Sequence, residues 1–214
     1  MPLSILDDKL WFPPSTDTTE DGLLAIGGDL HEERLLLAYK NGIFPWFEDG
    51  LPLWWCPDPR FALFPQELKV SKSMQQVLKS NVFHFKTNTS FEEVIHSCKT
   101  AKRDHEGTWI TDEVEQAYIG LHKKGYAHCA EAWQNNTLVG GLYGIRMGKI
   151  FFGESMFSLV SNASKFALIS YVRKLLAEDV AVIDCQVYTG HLQSLGARMI
   201  SRKLFLDLLK TYIR

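Results

Sequence analysis

Residues 127–157 read AHCAEAWQNNTLVGGLYGIRMGKIFFGESMF, and this stretch decides the fold class. Three strand-like runs lie in it, about Ala127 to Trp133, Thr137 to Ile145 and Lys149 to Phe157. Asn135-Asn136 and Met147-Gly148 separate them, and tight turns of that composition join strands running in opposite directions. The stretch predicts an antiparallel meander.

Downstream, a helix is predicted from about Ser164 to Ala177, an apolar strand from Val180 to Val187 and a last helix from Ser201 to Ile213. Upstream, Ser71 opens a short helix, Val82 to Thr87 reads as a strand, and Ser90 with Glu93 forms a capping box for a helix to about Ala101. Thr111 opens another helix, with Val114, Ala117, Tyr118 and Leu121 at i, i+3, i+4 and i+7 and Gly125 as its stop. The order from Val82 is β-α-α-β-β-β-α-β-α, an α/β fold of the α+β kind.

Pro and Trp crowd Phe44 to Pro65, which predicts a boundary near residue 60: a small N-terminal α/β domain over 1–60 and a larger domain over 61–214. In the first part, Asp29 and Glu32 form a capping box, Leu35, Leu36, Ala38 and Tyr39 give the apolar face, and Gly42 ends the helix. This part is acidic, with 4 Lys or Arg against 11 Asp or Glu, whereas the remainder holds 19 against 14. Positive charge is densest at the end, where Arg198, Arg202, Lys203, Lys210 and Arg214 face only Asp207. That pattern suits either a solvated helix face or a polyanionic partner.

The 214 residues are 46% apolar and 22% charged, the composition of a soluble globular protein. No signal-peptide pattern opens the chain and no run of about 18 apolar residues occurs, so export and membrane spanning are not expected. Cys56, Cys98, Cys129 and Cys185 are scattered without a C-x-x-C pair or ligand-spaced histidines. Reduced thiols, a cytoplasmic location and no metal site are expected.

Asp184 and Gln186 interrupt the apolar strand, and alternation puts both on the face opposite Ile183, Cys185 and Val187. Polar groups in such a strand need partners. They either tie down a loop, or form a carboxylate that orients a carboxamide toward a substrate proton. Glu154 is an isolated acid beside Gly153; if it faces a pocket, it suits a cationic ligand group. Trp46, Trp54, Trp55 and Trp109 fall in Pro- and Gly-rich stretches read as loops, where aromatics either pack an interface or stack nucleobases. No G-x-S-x-G, P-loop, G-x-G-x-x-G or H-E-x-x-H motif is present.

Six segments carry a resemblance. They are Gly22-Leu23-Leu24-Ala25-Ile26-Gly27-Gly28-Asp29-Leu30, Gly42-Ile43-Phe44-Pro45-Trp46-Phe47, Trp54-Trp55-Cys56-Pro57-Asp58-Pro59-Arg60, Gly107-Thr108-Trp109-Ile110-Thr111, Gly153-Glu154-Ser155-Met156-Phe157-Ser158 and Ile183-Asp184-Cys185-Gln186-Val187. In that order they resemble the bacterial leucyl/phenylalanyl-tRNA-protein transferases, over about Phe12 to Arg202. The resemblance implies transfer of Leu or Phe, and less well Met, from aminoacyl-tRNA to the α-amino group of proteins beginning with Arg or Lys, marking them for N-degron-dependent degradation. It also implies a C-terminal catalytic domain like the acyl-CoA N-acyltransferases (GNAT-like), with a mixed, largely antiparallel sheet, and a reaction needing no cofactor.

By the same resemblance Asp184 and Gln186 are catalytic, Gln186 being held by Asp184, and Glu154 binds the basic acceptor side chain. Trp46 and Trp109 bracket the terminal adenosine of the tRNA. Phe151, Met156, Leu168, Tyr171 and Ile183 form the aminoacyl pocket. Cys56 stands where the family usually has Ser, and Tyr171 and Leu175 where Phe is frequent. A monomer is expected. The alternatives are a CoA-dependent N-acyltransferase, though Ser158 to Ala163 holds no glycine-rich pyrophosphate loop, and a non-catalytic tRNA-binding module.

Overall fold

The computed structural model describes residues 3–48, 50–101 and 108–213. Gly107 and Arg214, both noted in the sequence, lie outside the described residues. The predicted meander forms the centre of a seven-stranded sheet. β7 (Ala127–Gln134), β8 (Thr137–Met147) and β9 (Ile150–Ser158) pair antiparallel. Their turns use Asn135, Asn136 and Gly148, all with positive φ, as tight hairpin turns require.

β6 (His84–Thr87) joins the outer side of β7, and β10 (Val182–Gln186) runs parallel to β9. β5 (Arg60–Leu63) and β11 (Arg198–Ile200) complete the order β11-β5-β10-β9-β8-β7-β6. Every pairing except β9 with β10 is antiparallel, so the sheet is mixed and largely antiparallel as expected.

Alternating side chains serve two cores. Ala130, Ala132, Leu142, Phe151 and Ile183 pack with α5 (Ala163–Ala177). Cys129, Tyr143, Ile145, Phe152 and Val182 pack with α3 (Phe91–Thr100), α4 (Asp112–Lys123) and, beyond the short α6 (Gly190–Ser194), α7 (Arg202–Tyr212). α2 (Lys72–Lys79), α4 and α7 begin where the sequence places them, with Ser71, Thr111 and Ser201 each accepting a backbone N–H three residues on. α3 departs from its expected capping box. The Ser90 side chain makes no cap bond. Instead buried Glu131 accepts the Thr89 and Ser90 N–H groups at 2.7 and 3.0 Å, a carboxylate at the positive end of the helix.

The N-terminal part holds more strand than its sequence announces. β1 (Ser4–Leu6), β2 (Leu23–Gly27), β3 (Phe44–Glu48) and β4 (Leu51–Trp55) form a second sheet in the order β1-β2-β4-β3. Trp46 therefore lies on β3, and Trp54 and Trp55 on β4, not in loops. The expected capping box of α1 (Glu32–Lys40) is also absent. Asp29 accepts from the His31 N–H and holds the Arg34 guanidinium instead, because a buried arginine competes for the carboxylate. All four cysteines are buried and stand outside any disulfide among the described residues. Among the described residues no helix is long and apolar enough to cross a membrane.

Candidate functional site

The pairing of β9 with β10 ends at Asp184 opposite Phe152, yet β9 runs on to Ser158 and β10 to Gln186. Each strand is irregular just beyond that point. Between Gly153 and Ser155 the register of β9 against β8 shifts, leaving Glu154 as the extra residue. Between Asp184 and Gln186 the register of β10 against β5 shifts, leaving Cys185 as the extra residue. Bulges re-aim side chains. Gly144 permits the first one, since a Cβ there would stand 2.1 Å from the Phe152 carbonyl oxygen. Gln186 completes the second in a left-handed conformation, φ 61°, which costs a non-glycine residue about 1 kcal/mol or more.

Simple alternation along β10 therefore fails, and the two polar residues part company. Asp184 is fully buried and takes Arg60 Nε and Nη2 at 2.8 and 2.6 Å. Phe44 and Phe205 flank that guanidinium, each ring centroid 4.6 Å away. Asp184 reaches Gln186 only through the backbone, accepting its N–H at 3.0 Å. The Gln186 carboxamide is instead held by Glu154, its Nε2 donating to Oε1 at 2.9 Å. With the amide hydrogens so directed, the carboxamide oxygen is left as an acceptor.

Glu154 also accepts the Tyr118 hydroxyl on Oε2 at 3.3 Å, and the Tyr39 hydroxyl meets that of Tyr118. Burial and then the Asp184 charge push the Glu154 carboxyl up to about 7, against hydrogen bonds that favour its ionised form. Burial likewise carries both tyrosines well above the usual phenol range.

The Glu154–Gln186 pair opens onto a cavity of about 410 Å³. Glu154, Asp184 and Gln186 form its polar side, while Phe151, Met156, Leu168 and Ile183 line it with apolar surface. Trp46 and Trp109 border the same cavity, Trp46 with 43% of its surface exposed. Tyr171 sits one layer back, edge-on to Phe151 at 5.1 Å. Nine of the twenty residues lining the cavity are ones singled out as site residues from the sequence. The sequence reading misses Arg60, Tyr39 and Tyr118, and also His191, which lines the cavity and which burial biases toward the neutral form.

Much of the C-terminal basic charge is engaged within the chain. Arg198 holds Glu67 through two bonds, Arg202 donates to Thr18 Oγ1 and the Cys56 carbonyl, and Lys203 pairs with Asp207. Among the described residues no group of three or more His, Cys, Asp or Glu is arranged to hold a metal ion.

Two family models match the chain: leucyl/phenylalanyl-tRNA protein transferase over residues 62–210, and the N-terminal domain of the same family over residues 28–58. Leucyl/phenylalanyl-tRNA–protein transferase of Flavobacterium johnsoniae is 54% identical over 204 residues, 94% of this chain and 96% of that protein. The protein of the same name from Syntrophus aciditrophicus is 51% identical over 216 residues, 100% of this chain and 90% of its own. A GCN5-related N-acetyltransferase from Kribbella flavida gives a TM-score of 0.42 at 9% identity, covering 76% of this chain and 58% of its own.

Proposed function

This chain belongs to the leucyl/phenylalanyl-tRNA protein transferase family of enzymes, and on that premise we propose that it moves Leu or Phe, and less well Met, from aminoacyl-tRNA to the α-amino group of proteins beginning with Arg or Lys. The products would enter N-degron-dependent degradation, and the enzyme would act as a cytoplasmic monomer. One observation carries this reading: a single cavity joins an apolar pocket, two tryptophans and a Gln186–Glu154 pair.

The aminoacyl ester is already activated, so its attack by an amine needs mainly placement and a neutral nucleophile. An α-amine has a reference pKa of roughly 7.7 to 8.0, so a substantial fraction is neutral near pH 7.5. The Gln186 carboxamide oxygen accepts a hydrogen bond from that amine and aims its lone pair at the ester carbonyl. The new amide bond forms as the ester C–O bond breaks, and the ribose hydroxyl of the tRNA leaves with a proton in place of the one the amine gives up.

Asp184 serves as an anchor in this scheme. Both its oxygens are occupied by Arg60 and the Gln186 N–H, which fixes the strained turn that presents Gln186. Glu154 meets the cationic side chain of the acceptor. Trp46 and Trp109 bracket the terminal adenosine, where stacking contributes on the order of 1 to 3 kcal/mol. The Leu or Phe side chain enters among Phe151, Met156, Leu168 and Ile183, with Tyr171 backing Phe151. Met156 is flexible enough to accept Leu, Phe and Met alike, whereas β-branched Ile and Val would crowd the ester.

The test is transfer of radiolabelled Leu, Phe, Met and Ile from their tRNAs to a peptide beginning with Arg, with an N-acetylated control. Transfer of Leu and Phe to the free amine only is expected, with Met slower and Ile barely detected. Folded protein that transfers none of them would overturn the assignment.

A further inference from the structure

Tyr39 comes from α1 and Tyr118 from α4, and both side chains are fully buried. Hydroxyls so placed need partners. They form a row that ends at the reaction centre: Tyr39 to Tyr118, Tyr118 to Glu154 Oε2, and Glu154 Oε1 to the Gln186 carboxamide. Trp109 and Tyr143 both pack edge-on to Tyr118.

The row has a preferred direction. With Glu154 ionised, Tyr39 donates to Tyr118, Tyr118 donates to Glu154, and every hydrogen in the row has an acceptor. With Glu154 protonated on Oε2 the sense reverses: the carboxyl then donates into the row instead of accepting from it, and one phenol hydrogen is left without its carboxylate acceptor. An orphaned buried donor is costly. Other groups act on Glu154 as well. Asp184 on β10 opposes its charge, Arg60 on β5 offsets Asp184, Gln186 donates to it, and Tyr143 on β8 and His191 line the same cavity.

We propose that the Tyr39–Tyr118 hydroxyl pair positions the acceptor site: it favours the charged form of Glu154 and fixes its orientation, so that one oxygen holds Gln186 while the carboxylate meets a cationic acceptor side chain. This rests on the acceptor role proposed for Glu154. Neither tyrosine touches substrate; both act through Glu154.

The test measures Leu transfer from Leu-tRNA to a peptide beginning with Arg between pH 6 and 8.5, giving kcat and KM for the parent, Tyr118→Phe and Tyr39→Phe. Phenylalanine keeps the ring and removes only the hydroxyl. In Tyr118→Phe the pH midpoint of the peptide KM should move up by about one unit, the shift expected when a carboxylate loses one hydrogen bond. Its KM should then be about five- to tenfold above the parent near pH 7, converge with it near pH 8.5, and leave the KM for Leu-tRNA unchanged. Tyr39→Phe should move the midpoint the same way. Profiles that superimpose on the parent, even with a lowered melting temperature, would reduce the pair to packing and overturn the proposal. A parent whose own peptide KM ignores the charge of the first residue would instead remove the acceptor reading of Glu154, and this inference with it.

Discussion

Replacing Asp184 by Asn tests the anchor beneath Gln186. The parent pair is 1% and 0% exposed, with two charge-assisted bonds at 2.8 and 2.6 Å. An asparagine has nearly the same shape, but its Nδ2 presents hydrogens to a guanidinium that can only donate, and the Arg60 charge is left between two rings without a counter-charge. Removing one partner of a buried pair costs about 3 to 5 kcal/mol. In a protein of this size each kcal/mol moves the melting temperature by about 2 to 4 °C, so a fall of about 10 °C is expected by calorimetry. Arg60→Met should cost a similar amount, because it strands the carboxylate instead. The combined Arg60→Met with Asp184→Leu removes both charges and should recover most of that stability, yet still fail to transfer, because nothing then holds the Gln186 N–H. An Asp184→Asn protein melting within about 2 °C of the parent would refute the reasoning.

Glu131→Gln should destabilise by about 2 to 3 kcal/mol at pH 7, since the buried carboxylate accepts bonds from Thr89, Ser90, Trp133 and Cys129. Burial opposes its charge, but those bonds hold the carboxyl below its ordinary value of 4.5. Its stabilising effect is therefore fully present above about pH 4.5 and lost as pH falls through the lower folded value, so urea midpoints of parent and variant should converge in acid. Trp46→Ala should raise the KM for Leu-tRNA by about tenfold, the loss of one stacking surface, with little change in melting temperature because the residue is already part-exposed. Gln186→Gly relieves the left-handed strain while deleting the carboxamide. Its melting temperature should fall by no more than a few degrees, whereas kcat should fall at least a hundredfold; a kcat near the parent value would remove Gln186 from the mechanism.

The larger sheet was legible because its signals are local. Strand periodicity and the turn residues Asn135, Asn136 and Gly148 act within a few positions, as do the caps at Ser71, Thr111 and Ser201. The N-terminal strands were not. Pro45 lies in β3 and Pro52 in β4, residues that argue against strands unless they sit at an edge, and β1 pairs with β2 across 21 positions. At the site, residue type drew attention to Asp184, Gln186 and Glu154, but their partners could not be read. Arg60 is 124 positions from Asp184, and Tyr39 and Tyr118 look like ordinary apolar helix positions, which by burial they are. The bulges that turn Glu154 and Gln186 toward each other depend on the pairing of four strands, β9 with β8 and β10 with β5, information that no single segment carries.

In the proposed scheme one cavity recognises the acceptor by charge at Glu154 and delivers its amine to Gln186. The most direct test compares Leu transfer to two otherwise identical peptides, one beginning with Arg and one with citrulline, which keeps the shape but loses the charge. The parent is expected to favour the Arg peptide in kcat/KM by at least tenfold, with Glu154→Gln abolishing most of that preference and leaving the KM for Leu-tRNA unchanged. Equal use of the two peptides by the parent, or a preference that survives in Glu154→Gln, would contradict the account.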